Sequence, residues 1–343
     1  MNHIFKIIWN TVSQCWVAVS ELSKSIAKSF KTDKSKRVTT IIGTVFLTGI
    51  TTNVLAETNV VLDDNGNIVG GKEASAFAGV GKAGDSVVLG NNAKSEGTES
   101  IVIGNGTTNT GRWSVTLGDQ ATGNSQYGVT IGERASSGKG SNSVVIGLMA
   151  KTSNEKKGGN SQTAVGAASY ADGEGASAFG ANANATGSTA TAIGRAAKAL
   201  AQSASALGDS ASASAWGATA LGRGASARAD NSIAVGSEAV TEGRESTALG
   251  RRSYAGAQSA AALGTGANAS GVVSTAVGNG AKASEVAASA LGNGAEASGR
   301  GSMAFGYASK ASAVDALATG SNANASSMNA VAVGKDSNSS AVN

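Results

Sequence analysis

Residues Ser203–Ala227 read SASALGDSASASAWGATALGRGASA. Two leucines and one tryptophan are the only large apolar side chains in it. The stretch nevertheless repeats: Ala206-Leu207-Gly208 returns as Ala220-Leu221-Gly222, fourteen positions on. Followed outward, the same mark runs from Gly90 to Gly334, 18 times in all. Fifteen of the intervals equal that period; the exceptions are 15 (Gly132 to Gly147) and 19 (Gly147 to Gly166). From Gly166 to Gly334 the register holds through twelve successive repeats. With 48 Gly, no Pro and 4% aromatics in 343 residues, the composition alone would suggest disorder. Low-complexity linkers have no fixed register, so the period argues instead for a stacked solenoid.

Fourteen residues hold two strands of about five residues and two short turns. The first strand ends at the marker Gly. The second is the A-x-A segment three to five residues later, such as Ala211/Ala213 or Ala267/Ala269. Alternation along the first strand places the residue two before the Gly, nearly always Ala from Ala164 onward, on one face. The two sheets of each coil then meet through methyl groups, and pairing between coils satisfies the backbone. Such an interior is thin: one buried methyl contributes about 0.8 kcal/mol, against about 1–2 kcal/mol of backbone entropy per residue.

The larger side chains sit immediately before the Gly. Leu207, Leu221, Val235, Leu249, Leu263, Val277 and Leu291 belong to this row, which only Thr319 breaks. By parity they point away from the Ala face. A stripe that long implies an interface, and for a self-repeating chain the simplest partner is another copy. The rival assignment puts Leu inside the coil and Ala outside. Thr163, Thr191, Thr219, Thr247 and Thr275 recur at every second coil with the parity of the apolar row and are read as flanking it, ahead of a remote ice-binding alternative.

The net charge of +4 comes from the segment 1–56, which holds seven Lys/Arg and two acids; the remainder is −1. That excludes a basic nucleic-acid footprint on the repeat. His3 and Cys15 are the only His and Cys, so the repeat lacks the commonest general base and a thiol nucleophile. No periodic Asp marks a calcium solenoid. The expectation is a protein that is not an enzyme, with no metal and no cofactor.

Val38–Ala56, VTTIIGTVFLTGITTNVLA, follows the basic run KTDKSKR, the pattern of a secretory signal. Its six Thr, two Gly and one Asn dilute it below a membrane span. Val54 and Ala56 fit the −3 and −1 positions, which places the cut between Ala56 and Glu57. In front of this, Met1–Ser25 carries IIWN and WVAVSEL. Those runs resemble the extended signal-peptide region of large autotransporters and related Gram-negative adhesins.

Together the marks and the leader resemble a trimeric autotransporter adhesin with YadA-like head repeats. The resemblance implies an all-β, left-handed parallel β-roll of 14-residue coils, three rolls sharing one axis. It implies export to the Gram-negative cell surface, attached to the outer membrane through an anchor. The expected divisions are an extended signal peptide (1–56), a lead-in (57–76) and head repeats (77–343). The family's neck, coiled-coil stalk and membrane anchor are not recognisable here, so the expectation is a fragment, a truncated product or one segment of a longer chain.

The expected partners are two further copies of the chain and host matrix proteins such as collagen, fibronectin or laminin, with bacterial autoagglutination as a further role. A structural spacer that projects another adhesive domain is the alternative. Collagen-binding members carry N-S-V-A-I-G-x-x-S. Here Asn142, Ser143, Val144, Val145, Ile146 and Gly147 read NSVVIG, with Val145 replacing Ala and Ala150 standing in place of Ser. Asn231–Gly236 reads NSIAVG, with Ala239 in the Ser place, and is likewise an incomplete match. The longest interval, Gly147 to Gly166, contains KTSNEKKGGN, whose extra residues must bulge outward and whose Lys151, Lys156 and Lys157 make it basic. Trp113 and Trp216 break the small-residue rule, and Trp216, outside the marker register, is a candidate contact at a turn.

Overall fold

The computed structural model describes residues 5–10, 15–20, 60–62, 67–76, 85–153 and 160–340. It falls into two units, 1–51 and 52–343. In the first, Phe5–Asn10 pairs antiparallel with Cys15–Ser20. The second is a parallel β-solenoid.

Each regular coil contributes one strand to each of two sheets. The marker strand has three residues, as in Thr219–Leu221, and the return strand two, as in Ser226–Ala227. Successive marker strands pair in parallel one period apart, Ala206 with Ala220 and Ala220 with Ala234. Return strands do the same, Ala213 with Ala227. The strands are shorter than the sequence suggests because much of each half-coil is spent on a turn. Both turns close on a residue with positive φ, for example Ser210 (57°) and Asn231 (54°). The marker Gly opens the first turn; at Gly222 φ is 133°.

The interior is alanine. Ala218, Ala220, Ala225 and Ala227 of one coil are all fully buried, and Leu221 is 44% exposed. The small residues therefore fill the coil and the large ones face out, which excludes the Leu-inside assignment. Ala218, four before the Gly, is an inward position beyond the three identified from the sequence. One cluster of buried alanines runs from Ala164 to Ala332.

The earlier coils are filled differently. Val88, Val102, Thr116, Thr130 and Val145 replace the central Ala, and Ser95, Asn109, Ser137 and Thr152 lie opposite, all buried. Several of these polar groups find partners inside the roll. Ser114 Oγ donates to Asn109 Oδ1 at 2.8 Å, and Asn109 Nδ2 donates to the Gly111 carbonyl at 2.8 Å. Burial of such groups is tolerated because they are paired.

The roll starts before the residue-77 boundary expected from the marks. Ile68–Gly70 pairs in parallel with Val87–Leu89, and Val60–Leu62 pairs antiparallel with Ile68–Gly70. This first coil escapes the sequence pattern because Gly70 occupies the place of the bulky residue. At the far end Val331–Val333 pairs with Leu317–Thr319.

Candidate functional site

The outer face of the marker sheet is built from two columns of each coil, the residue before the Gly and the one two earlier. Pairing stacks Leu207 on Leu221, Leu221 on Val235 and Val235 on Leu249. Leu221, Leu249 and Leu291 are exposed, and Leu207, Val235, Leu263 and Val277 half-buried. The second column holds Thr191, Thr219, Thr247 and Thr275, with Ile101, Ile233, Met303 and Val331 among its exposed apolar members. The return sheet turns a contrasting face to solvent. Its outward column carries Lys94, Lys151, Lys198, Lys282 and Lys310 with Asn268 and Asn324. One side of the roll is therefore apolar and the other polar.

The turn after the marker Gly carries a charge ladder. Arg195 Nη2 lies 2.6 Å from Asp209 Oδ2. Glu238 takes Arg252 at 2.7 Å and Arg223 at 3.3 Å. The Arg252 hydrogen bond, then its charge, hold the Glu238 carboxyl below its ordinary value. Arg195 does the same for Asp209. On the return face Tyr254 donates to Glu242 at 2.7 Å, which raises the phenol above its ordinary value. All these groups face water, where ion pairs contribute little.

The irregular intervals keep both sheets intact. Val144–Ile146 pairs directly with Val129–Ile131 and with Thr163–Val165. Lys151–Thr152 is an ordinary return strand, so the extra residues of the longest interval come after Ser153, and 154–159 lie outside the described residues. In the NSVVIG segment, Ser143 and Val145 point inward and are completely buried. They cannot meet a ligand, which corrects their place among the candidate contacts; the alternation that turns Val144 and Ile146 outward buries them. Asn142 and Ile146 are exposed, and Val144 and Gly147 half-buried. Lys151 is exposed; Lys156, Lys157, Ala56 and Glu57 lie outside the described residues.

Trp216 sits in a second turn, 51% exposed, and its backbone N–H donates to Asp230 Oδ1 of the next coil at 3.2 Å. Trp113 ends an earlier second turn and stacks on Tyr127, ring centroids 5.0 Å apart and planes 6° from parallel. Sequence reading singled out Trp113 without Tyr127. Their separation by one full period was the signal, because it places two residues at one position of adjacent coils.

Among the described residues no group of three His, Cys, Asp or Glu could hold a metal ion. The arrangement offers surfaces rather than a reaction centre: an apolar sheet face, a polar sheet face and two turn edges.

Comparison with known families gives two matches. Residues 1–50 match the extended signal peptide of the type V secretion system. The YadA head domain repeat matches 82–107, 163–183, overlapping segments spanning 185–239, then 242–267, 269–295 and overlapping segments spanning 297–337. These segments cover more than half of the chain and do not include residues 108–162. A search of curated proteins returns no match.

Proposed function

The chain belongs to the family built on YadA head repeats, a trimeric autotransporter adhesin type exported to the Gram-negative cell surface, and from that premise we propose that it acts as an adhesin head in which three copies bury their apolar faces against one another. The polar faces and turns then remain free to hold host matrix and neighbouring bacteria.

The observation that carries the reading is the apolar column before each marker Gly on the outer face of the marker sheet, unbroken from Leu89 to Phe305. The Ala interior has little to spare, and this column is an apolar reserve that recurs in every coil from Leu89 to Phe305. A fully buried Leu, Ile or Val contributes about 1.5–3 kcal/mol, so covering a half-exposed one adds roughly 1 kcal/mol per coil and chain, repeated along the whole roll. No catalytic step is proposed, and no cofactor is needed. The leader is expected to leave by cleavage between Ala56 and Glu57.

The test has two parts. The exported chain is sized by light scattering, and it is applied to collagen, fibronectin and laminin surfaces. A mass of three chains with saturable binding to a matrix protein supports the adhesin head. A single-chain mass removes the trimer. Three chains that hold no matrix protein and do not agglutinate cells leave the spacer role, in which the roll only projects another domain.

A further inference from the structure

One cluster on the second-turn edge is unlike the rest of the roll. Glu99, Trp113, Tyr127 and Asn142 occupy the same place in four successive coils, each with φ between 52° and 58°. Trp113 and Tyr127 form the parallel stack described above. The Arg112 guanidinium lies over the Trp113 ring, 4.7 Å from its centroid, and Arg112 Nε donates to Thr98 Oγ1 of the preceding coil at 3.1 Å. It therefore covers the face of Trp113 turned away from Tyr127. Trp113 Nε1 donates to the Glu99 carboxylate. The indole is thus held on both faces and at its nitrogen.

The ladder stops at Tyr127. The next rung is Asn142, whose backbone N–H donates to the Gln126 carbonyl at 2.8 Å. Its side chain is too short to cover a phenol ring, and Tyr127 is 53% exposed. One ring face is fixed by Trp113; among the described residues no second ring or guanidinium packs on the other. All of this lies within 108–162, outside the matched head-repeat segments, apart from Glu99 and Thr98.

We propose that this shelf binds a hexopyranose ring of a surface glycan, which stacks on the open face of Tyr127 as the next rung of the ladder. The assignment deepens the adhesin reading and rests on it. A pyranose with an unbroken C–H face, as a β-galactoside presents through C3, C4 and C5, puts weakly positive hydrogens against the negative face of the ring. Asn142, the next rung, and Gln126, the residue before Tyr127, carry the side-chain amides that in this assignment supply donors and acceptors for the hydroxyls. An aromatic peptide side chain would fit the ring but leave those amides unmatched. The stack is formed before binding, so little side-chain entropy is lost.

The experiment applies albumin carrying β-galactosyl groups to cells displaying the full exported chain, with α-mannosyl albumin as comparison and collagen, fibronectin and laminin binding measured in parallel. Galactosyl albumin is expected to bind in preference to mannosyl albumin. Tyr127→Ala is expected to lower that binding at least tenfold, and Tyr127→Phe to retain it. Asn142→Tyr extends the ladder and occupies the shelf without removing Tyr127, and is expected to abolish binding too. Circular dichroism should not change in any of the three, nor matrix binding in the two Tyr127 variants. Wild-type cells that hold a matrix protein but no galactosyl albumin overturn the shelf and leave the adhesin reading standing. Cells that hold neither overturn both. Equal galactosyl binding by wild type and Asn142→Tyr overturns the shelf, as does loss of trimer mass in Tyr127→Ala, which would place the stack between chains.

Discussion

Replacing Gly222 by Ala should break the roll locally, whereas the same change at Gly266 should be nearly harmless. Gly222 has φ 133°, and a Cβ built there lies 2.6 Å from the carbonyl oxygen and 2.7 Å from the carbonyl carbon of Gly236 in the next coil. The backbone conformation alone costs a non-glycine residue about 1–3 kcal/mol. Relieving an overlap with backbone adds about 1–3 kcal/mol more, giving about 2–6 kcal/mol. Gly266 has φ 64° and nothing within 4 Å of its Cβ position. Ala196 (56°) and Ala308 (51°) already occupy the equivalent place two residues after the marker. Its left-handed cost of about 1–2 kcal/mol is offset by about 0.4–1 kcal/mol through the stiffer unfolded chain, leaving about 1 kcal/mol. Denaturant unfolding at fixed protein concentration, followed by strand circular dichroism, gives the difference. Because coils couple to nearest neighbours, limited proteolysis should locate the damage between Gly208 and Gly236. If the two variants unfold within about 0.5 kcal/mol of each other, well inside the gap of about 1–5 kcal/mol expected once the overlap is counted, the claim that successive coils touch at the marker Gly is wrong.

Four other outcomes follow from the same geometry. Ala220→Leu, which inserts three carbons between two sheets, should destabilise the roll by about 1–3 kcal/mol or more, while Leu221→Ser should leave the single roll folded and weaken its assembly, as read by melting and by mass. N-terminal sequencing of the exported protein should start at Glu57, and a start at Met1 with membrane retention would overturn the signal reading. Shortening the Gly147–Gly166 interval to the regular period, by deletion after Ser153, should preserve strand content and melting temperature, because both flanking sheets already pair without the extra residues. Glu238 is held below its ordinary carboxyl value, so its pairing with Arg252 contributes above that range and is lost as pH falls through it. The melting temperature should drop as the solution is acidified from neutral through the carboxylate range, and Glu238→Gln should make that drop smaller.

Much of the roll was legible because its period is rigid. One bulky residue before each Gly, with Ala two before it, fixes which side of a two-residue alternation is inside, and Ala220 beside Leu221 shows the result. Strand length was not legible, since a fixed period does not say how it is shared between strands and turns. The first coil was hidden by Gly70, and the inward Ala218 column by attention to the A-L-G mark. Of the candidate contacts, Ser143 and Val145 fail by parity alone, which was available from the pattern. The Trp113–Tyr127 stack needed the aromatics to be compared at the spacing of the repeat; once aligned, they fall on one turn position. A ligand leaves no comparable trace, because repeat periodicity records packing between coils and not what the outer turns touch.

The central claim is that the apolar row lies between chains, and a pair of single cysteines tests it most directly. The chain beyond Ala56 has no Cys, so an introduced thiol acts alone. Leu263 is in the row, and Asn268 lies on the outward side of the return strand Asn268–Ala269. Leu263→Cys should oxidise readily in the assembled protein. One thiol per chain links only two chains of three, so a non-reducing gel should show linked dimer with leftover monomer. Asn268→Cys should remain monomeric. A disulfide needs Cα atoms within about 7 Å, so a long thiol cross-linker extends the test if the axis is wider. Cross-linking by Asn268→Cys and none by Leu263→Cys, even with the long reagent, would contradict the account: the apolar face would then lie outside the assembly.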